Sequence, residues 1–243
     1  MTLFHSRMAV ESRGAISDRL RATALAVGLA VPLITASGAA PAPTIVSREH
    51  PDFSGIWVPD VTRQLRGPRE FLPAAQKLFE KNHKGIEAGD PMADPAFRCL
   101  PIGFPRGMLG NRPFWLMQTP TAVGMIGEGP GRPRVIYING KHVDGLWPQF
   151  MGDSTAIWDG DTLVIDTVNM AKETLIANDG TPHSDALHVT ERWRLIGDGE
   201  MEMQLTVDDP KIFKAPWVIT TPAKRDMDVR PQESVCQSTR LRP

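Results

Sequence analysis

Cysteine occurs only twice in this chain of 243 residues. Two cysteines are too few for a disulfide-built scaffold or a four-cysteine zinc site. Neither sign of charge dominates: 27 Lys and Arg against 28 Asp and Glu leave a formal net charge of −1. A nucleic-acid binder needs a basic excess to neutralise phosphates, so nucleic acid is not an expected partner. The chain has no Gly-x-Ser-x-Gly nucleophile elbow, which weakens Ser154 and Ser184 as nucleophiles. It also lacks a Gly-x-Gly-x-x-Gly after a strand and a phosphate loop, which removes dinucleotide and nucleoside-triphosphate chemistry. The Gly-rich run Gly127-Glu128-Gly129-Pro130-Gly131 has no helix pattern behind it and reads as a loop. No βαβ alternation is visible, which argues against a parallel sheet. No metal or other cofactor is called for.

What the chain does have begins with a leader. Arg7, Arg13, Arg19 and Arg21 precede an uncharged stretch from Ala22 to Ala40. A basic start, a short apolar centre and small residues at its end are the pattern of a secretory signal peptide. A membrane span needs about 20 strongly apolar residues; here Pro32, Thr35, Ser37 and Gly38 interrupt the run. Residues 1–40 are therefore expected to be a cleaved signal and 41–52 a linker. Residues 53–243 are expected to form one domain, periplasmic or secreted, with no stable membrane insertion. In an oxidising compartment Cys99 and Cys236 are the only possible intramolecular disulfide. Such a bridge would tie the tail to the body and stabilise it by about 4 kcal/mol in the chain-entropy account. Two unpaired thiols are the alternative.

Gly (21) and Pro (22) are abundant, which points to many turns and short strands. One helix is expected over residues 73–87, with Pro73 in its first turn, Leu78 and Phe79 facing the core, and Gly89 as its stop. Residues 89–113 read as a long ordered loop. From Phe114 onward the pattern is strand. Asn139-Gly140 is a strong two-residue hairpin signal between 134–138 and 141–143. Asp159-Gly160 and Gly197-Asp198-Gly199 mark two more hairpins. In the last of these Met201, Met203, Leu205 and Val207 alternate with Glu200, Glu202, Gln204 and Thr206, one face dry and one wet. The expected fold is mainly β: an antiparallel barrel or sandwich of about eight strands, one helix and long Pro/Gly-rich loops.

Two resemblances sharpen that expectation. Phe53-Ser54-Gly55-Ile56-Trp57 resembles the Gly-x-Trp opening of the calycins, the lipocalin and fatty-acid-binding group, which implies a calycin-like barrel. Asp52 to Trp57, Arg98-Cys99-Leu100-Pro101, Gln118-Thr119-Pro120, the run from Trp158 to Thr167 and the run from His183 to Trp193 together resemble a family of exported, mostly uncharacterised bacterial proteins. That likeness implies export and a β-rich fold and transfers no catalytic residue.

The candidate chemistry lies in carboxylates set against apolar neighbours. Glu191 shares a strand face with Leu187, Val189, Trp193 and Leu195. A lone buried carboxylate costs several kcal/mol, so Glu191 is either a general acid or base of raised pKa or half of an ion pair, for instance with Arg134. Asp166 shares a face with Val164 and Val168, while Leu163 and Ile165 make the other face apolar too, leaving its direction open. His183 and Asp185 are candidates for a His–carboxylate dyad at a barrel mouth, with Asp153 joining them if its loop shares the rim. Trp115, Trp147, Met151, His188 and Trp193 are candidate binding residues for an apolar, possibly aromatic small molecule. The reading that follows is a cofactor-independent acid–base enzyme, perhaps a lyase, isomerase or hydrolase, with its substrate in a barrel cavity. The competing reading is an exported carrier or sensor using the same cavity without chemistry.

Overall fold

The computed structural model describes residues 49–128 and 132–232. The expected leader, most of the linker, and Cys236 lie outside the described residues. The strands are β1 (Gly55–Pro59), β2 (Leu65–Arg66), β3 (Phe114–Gln118), β4 (Ala122–Gly127), β5 (Arg134–Ile138), β6 (Asp153–Asp159), β7 (Thr162–Val168), β8 (His188–Gly197), β9 (Glu200–Asp208) and β10 (Trp217–Arg225). They form one sheet in the order β1-β3-β4-β5-β6-β7-β8-β9-β10-β2. The ring closes because Trp57 of β1 pairs with Phe114 of β3 on one side and with Arg225 of β10 on the other. Nine strands make the barrel, and β2 hangs on the remaining length of β10 through Ile219↔Arg66.

The barrel is mixed, not purely antiparallel as the sequence led one to expect. β5 and β6 run parallel, with Ile136↔Ser154 and Tyr137↔Thr155 in register. The Asn139-Gly140 hairpin does not form. Asn139 does take the left-handed conformation, φ 56°, but its N–H donates to the carbonyl of Ala156 at 2.7 Å. The chain then leaves the sheet, and residues 140–152 cross back before β6 starts in the same direction as β5. A turn signal reports the local bend; it does not report what the next residues pair with.

Inside and outside alternate as period-two patterning requires. Met201, Met203, Leu205 and Val207 of β9 point inward and are buried. Val189, Glu191 and Trp193 of β8 and Leu163, Ile165 and Thr167 of β7 do the same. Gly55 is required by close approach: its φ is +136°, and a Cβ there would lie 3.2 Å from Cδ of Arg225. The Arg225 guanidinium sits 4.7 Å over the Trp57 ring, and the Trp57 indole N–H donates to the Phe53 carbonyl at 2.8 Å. The opening Gly-x-Trp thus seats an arginine from the last strand against the first.

The single α-helix among the described residues, α1, spans Pro73–Glu87. Its inward positions are Ala75 and Phe79, while Leu78, expected inside, is 42% exposed. Phe79 stacks on Phe71 at 5.0 Å, and Phe71 on Phe213 at 5.3 Å. Among the described residues no helix is long and apolar enough to cross a membrane.

The barrel is filled by its own side chains. Phe104 and Met108, from the long loop before β3, are buried in the core together with Trp57, Phe114, Ile136 and Trp193. The Arg134 guanidinium lies 3.8 Å from the Phe104 ring centre. Near Gly103, Met108, Met125 and Met151 there remains a void of about 20 Å³, room for one water molecule. Trp193, expected to line a ligand cavity, is packed into this core.

Candidate functional site

Each residue of interest is positioned by the side of the barrel wall on which its strand places it. Glu191 faces inward and is fully buried, and its partner is Arg134, Nη2 to Oε1 at 2.5 Å. The same guanidinium donates to Ser154 Oγ at 3.0 Å and Thr167 Oγ1 at 2.7 Å. The Trp193 indole N–H donates to the other Glu191 oxygen at 3.2 Å. Of the two readings open for Glu191, the ion pair is the one the geometry matches. Arg134, Glu191, Ser154, Thr167 and Trp193 thus bond to one another inside the core, a network that holds the strands in register. Trp193 is likewise buried in the core.

The His183–Asp185 dyad does not form. His183 is buried; its Nε2 meets Thr174 Oγ1 at 2.7 Å and its Nδ1 meets the Ser184 carbonyl at 2.9 Å. Burial holds its pKa below the ordinary histidine value, only partly countered by its bond to the Ser184 carbonyl. Asp185 points into solvent and pairs with Lys211 at 2.6 Å. The carboxylate that organises this loop is Asp209, which accepts from the Ser184 N–H at 2.6 Å and the Ser184 hydroxyl at 2.8 Å.

Asp166 and Asp153 point outward, onto the face crossed by residues 140–152. There they meet a residue the sequence reading passed over, His142. Its Nδ1 lies 3.2 Å from Asp153 Oδ2 and its Nε2 lies 3.0 Å from Asp166 Oδ2. The other Asp166 oxygen is hydrogen-bonded to His188 Nε2. Asp153 also accepts the Val143 N–H at 2.9 Å, which pins the crossing loop to the wall. The result is a continuous chain, Asp153–His142–Asp166–His188. With a carboxylate at each ring nitrogen, His142 has a raised pKa: burial lowers it, but bonds to Asp166 and Asp153 outweigh that. The pKa of Asp166 moves the opposite way. Burial raises it, and the bonds from His188 and His142 pull it below the usual carboxylate value. The signal that could have found His142 was the hairpin failure: once the loop crosses the outer face, its one histidine passes over two outward aspartates.

Beside this chain the outer wall turns apolar. Trp115↔Ile126, Met117↔Gly124 and Gly124↔Val135 lie in adjacent rows, with Tyr137 next to Thr155 and Thr155 next to Asp166. Trp115, Met117, Ile126, Val135 and Tyr137 are all exposed. Trp115 therefore lies on the outside, not in a cavity. Trp147, in the crossing loop, is 83% exposed, and Met151 borders the small void at the barrel end; the two do not share a pocket with Trp193. The wall of β7–β9 is polar, with Thr162, Arg192, Arg194, Glu202 and Gln204 around a groove of about 280 Å³. Arg192 pairs there with Asp159 and Arg194 with Glu202. Among the described residues no group of three His, Cys, Asp or Glu side chains is arranged to hold a metal ion.

The class these features define is a closed, mixed β-barrel with a filled interior and a two-part outer wall. No family model matches the chain, and no curated protein matches it in sequence. Among solved structures it is similar to the REP1-NXSQ fatty acid transporter, with a TM-score of 0.34 and 14% identity over 71% of this chain and 95% of that one. A tyrosine-to-phenylalanine mutant of that transporter matches with a TM-score of 0.34 and 13% identity, over 71% of this chain and 97% of that one. Neither likeness carries the argument, and the barrel rests on its own strand pairings.

Proposed function

We propose that this protein is an exported carrier or sensor that binds an apolar small molecule against the outer wall of its barrel. The observation that supports this is the row of apolar side chains facing water across β3, β4 and β5. On β8 and β9 of the same barrel, by contrast, Thr190, Arg192, Arg194, Glu202, Gln204 and Thr206 point outward, as water-facing positions of a barrel should. A contiguous exposed apolar patch marks a binding surface more often than chance placement. Gly124 lies between Met117 and Val135 in that patch, and the Met117 side chain covers it, its Cε 3.6 Å from where a Cβ would stand. Export rests on the leader pattern of residues 1–40.

The test is a fluorescence titration with anilinonaphthalene sulfonate, followed by displacement with dodecanoate and with naphthalene. Saturable binding is expected, weakened roughly 10-fold by Trp115→Ser or Val135→Asp, since each removes about a kcal/mol or more of apolar contact. The inward Ile136→Val should leave the affinity alone. Absence of saturable binding, or sensitivity to Ile136→Val but not to the outer substitutions, overturns the reading.

A further inference from the structure

The Asp153–His142–Asp166–His188 chain is more than a carrier needs. His142 spends both nitrogens on carboxylates and has none left for a ligand. His188 differs: Nε2 is fixed by Asp166, and Nδ1 has no hydrogen-bond partner among the described residues. Its ring is 45% exposed. A carboxylate that holds one imidazole nitrogen sets the tautomer so that the other presents a lone pair, the arrangement of a general base. Asp166 is in turn held from its far side by His142, and His142 by Asp153. The row that carries Asp166 continues through Thr155 to Tyr137, the only tyrosine in the chain, whose hydroxyl has no partner among the described residues. The apolar outer face of β3–β5, with the Tyr137 hydroxyl at its edge, thus adjoins the polar face that carries the oriented base, with β6 and β7 between Tyr137 and the strand of His188. The hydrogen bonds among these residues hold no hydroxyl or thiol against His188 Nδ1, so the chain supplies a base without a nucleophile.

We propose that His188 is the catalytic base of a proton-transfer reaction on an apolar or aromatic carbonyl compound, an enolisable ketone or aldehyde, seated on the outer wall. The C–H bond next to the carbonyl breaks, its proton goes to His188 Nδ1, and the electron pair moves onto the carbonyl oxygen as an enolate. The Tyr137 hydroxyl is the donor this wall offers that oxygen. The imidazolium of His188 then returns the proton: to the same carbon, which is exchange, or, where the ketone is β,γ-unsaturated, to the γ-carbon of the dienolate, which completes an isomerisation to the conjugated enone with no oxidant, reductant or second substrate. Asp166, His142 and Asp153 are positioning residues that act through His188. Cross-strand from His188 stands Asp208, so the charged groups facing this base are Asp166 on β7 and Asp208 on β9, with His142 behind Asp166. The proposal rests on the outer-wall reading for where the ligand sits.

The experiment follows the loss of the α-proton NMR signal of α-tetralone in D₂O, with full-length protein and equimolar free imidazole as reference. Wild-type protein is expected to exchange the proton about 100-fold faster than imidazole, the low end of positioned general-base catalysis. His188→Gln should fall to the imidazole rate. Asp166→Asn should lower the maximal rate at least 10-fold with little change in half-saturation, and His142→Gln should displace the pH at half-maximal rate, which a purely structural role would not do. All three lie on the surface, and a thermal melt checks that each folds. Wild-type exchange no faster than imidazole, or His188→Gln exchanging like wild type, overturns the proposal. Ketone bound at Trp115 but not exchanged leaves the carrier standing and removes the catalysis. Exchange whose half-saturation ignores Trp115→Ser leaves His188 as base and removes the outer-wall seat.

Discussion

Four titratable side chains show how far environment outruns residue type. Glu191 and Asp166 both looked like carboxylates lodged in apolar strands, yet one is sealed against Arg134 and the other stands outside between two histidines. Removing one partner of a sealed pair strands the other. Glu191→Gln should therefore cost about 3–5 kcal/mol, read as a fall in the urea midpoint. The double replacement Arg134→Met with Glu191→Leu should recover much of that loss, because the charge left behind is gone as well. The two histidines titrate with opposite sign. His142 has a raised pKa in the folded protein, so its contribution is complete below the ordinary value near 6.5 and is lost as pH rises through the folded value. His183 has a lowered one, so its contribution is complete above about 6.5 and is lost as pH falls toward the folded value. Melts across pH should show the gap between wild type and His142→Gln closing on the alkaline side. A His183→Phe variant should soften the acid-side loss of stability relative to its own neutral value.

At the scale of elements, the crossing segment 140–152 decides the site. It carries His142, it ends in Gly152, and it converts an expected hairpin into a parallel joint. Gly152 has φ +69°, and a Cβ there would lie 2.7 Å from both Met170 Sδ and Thr167 Cγ2. Gly152→Ala should thus cost about 1–3 kcal/mol through backbone strain and crowding, seen as a lower melting temperature. Since Gly152 sets the entry to β6 beside Asp153, the same change should also weaken the His142–Asp153 contact, visible as a shift of the His142 imidazole resonances. The helix, by contrast, was legible to the residue: Pro73 and the stop after Glu87 bound it as expected, because capping and chain punctuation are local. Its inward face was legible only in part, since which side meets Phe71 and the 179–180 turn is set by packing.

For the whole molecule, the closed barrel disposes of its sheet edges by pairing β1 with β10, leaving only the short β2 at the seam. Closure leaves the outer wall of the barrel as the surface on which function is proposed. Cys99 ends a short helical turn in the left-handed conformation, φ 61°, and the tail with Cys236 is its expected partner. Intact mass of the protein under non-reducing conditions should be lower than that of the reduced chain by two hydrogens. Equal masses would reject the bridge.

The sequence by itself determined what depends on near neighbours: the bounds of α1, the hairpins at Asp159-Gly160 and Gly197–Gly199, the dry face of β9, and the need to pair Glu191. Those follow from backbone preference, period-two alternation and the cost of burying charge, all of which act within a few residues. Tertiary structure alone decided which side of β7 faces water, because Leu163 and Ile165 were as apolar as Val164 and Val168. It decided that Asn139-Gly140 turns the chain out of the sheet, because a turn does not choose its partner strand. And it brought His142, Asp153, Asp166 and His188 together, since strand pairing and one crossing loop, not spacing along the chain, place those four side chains on the same face.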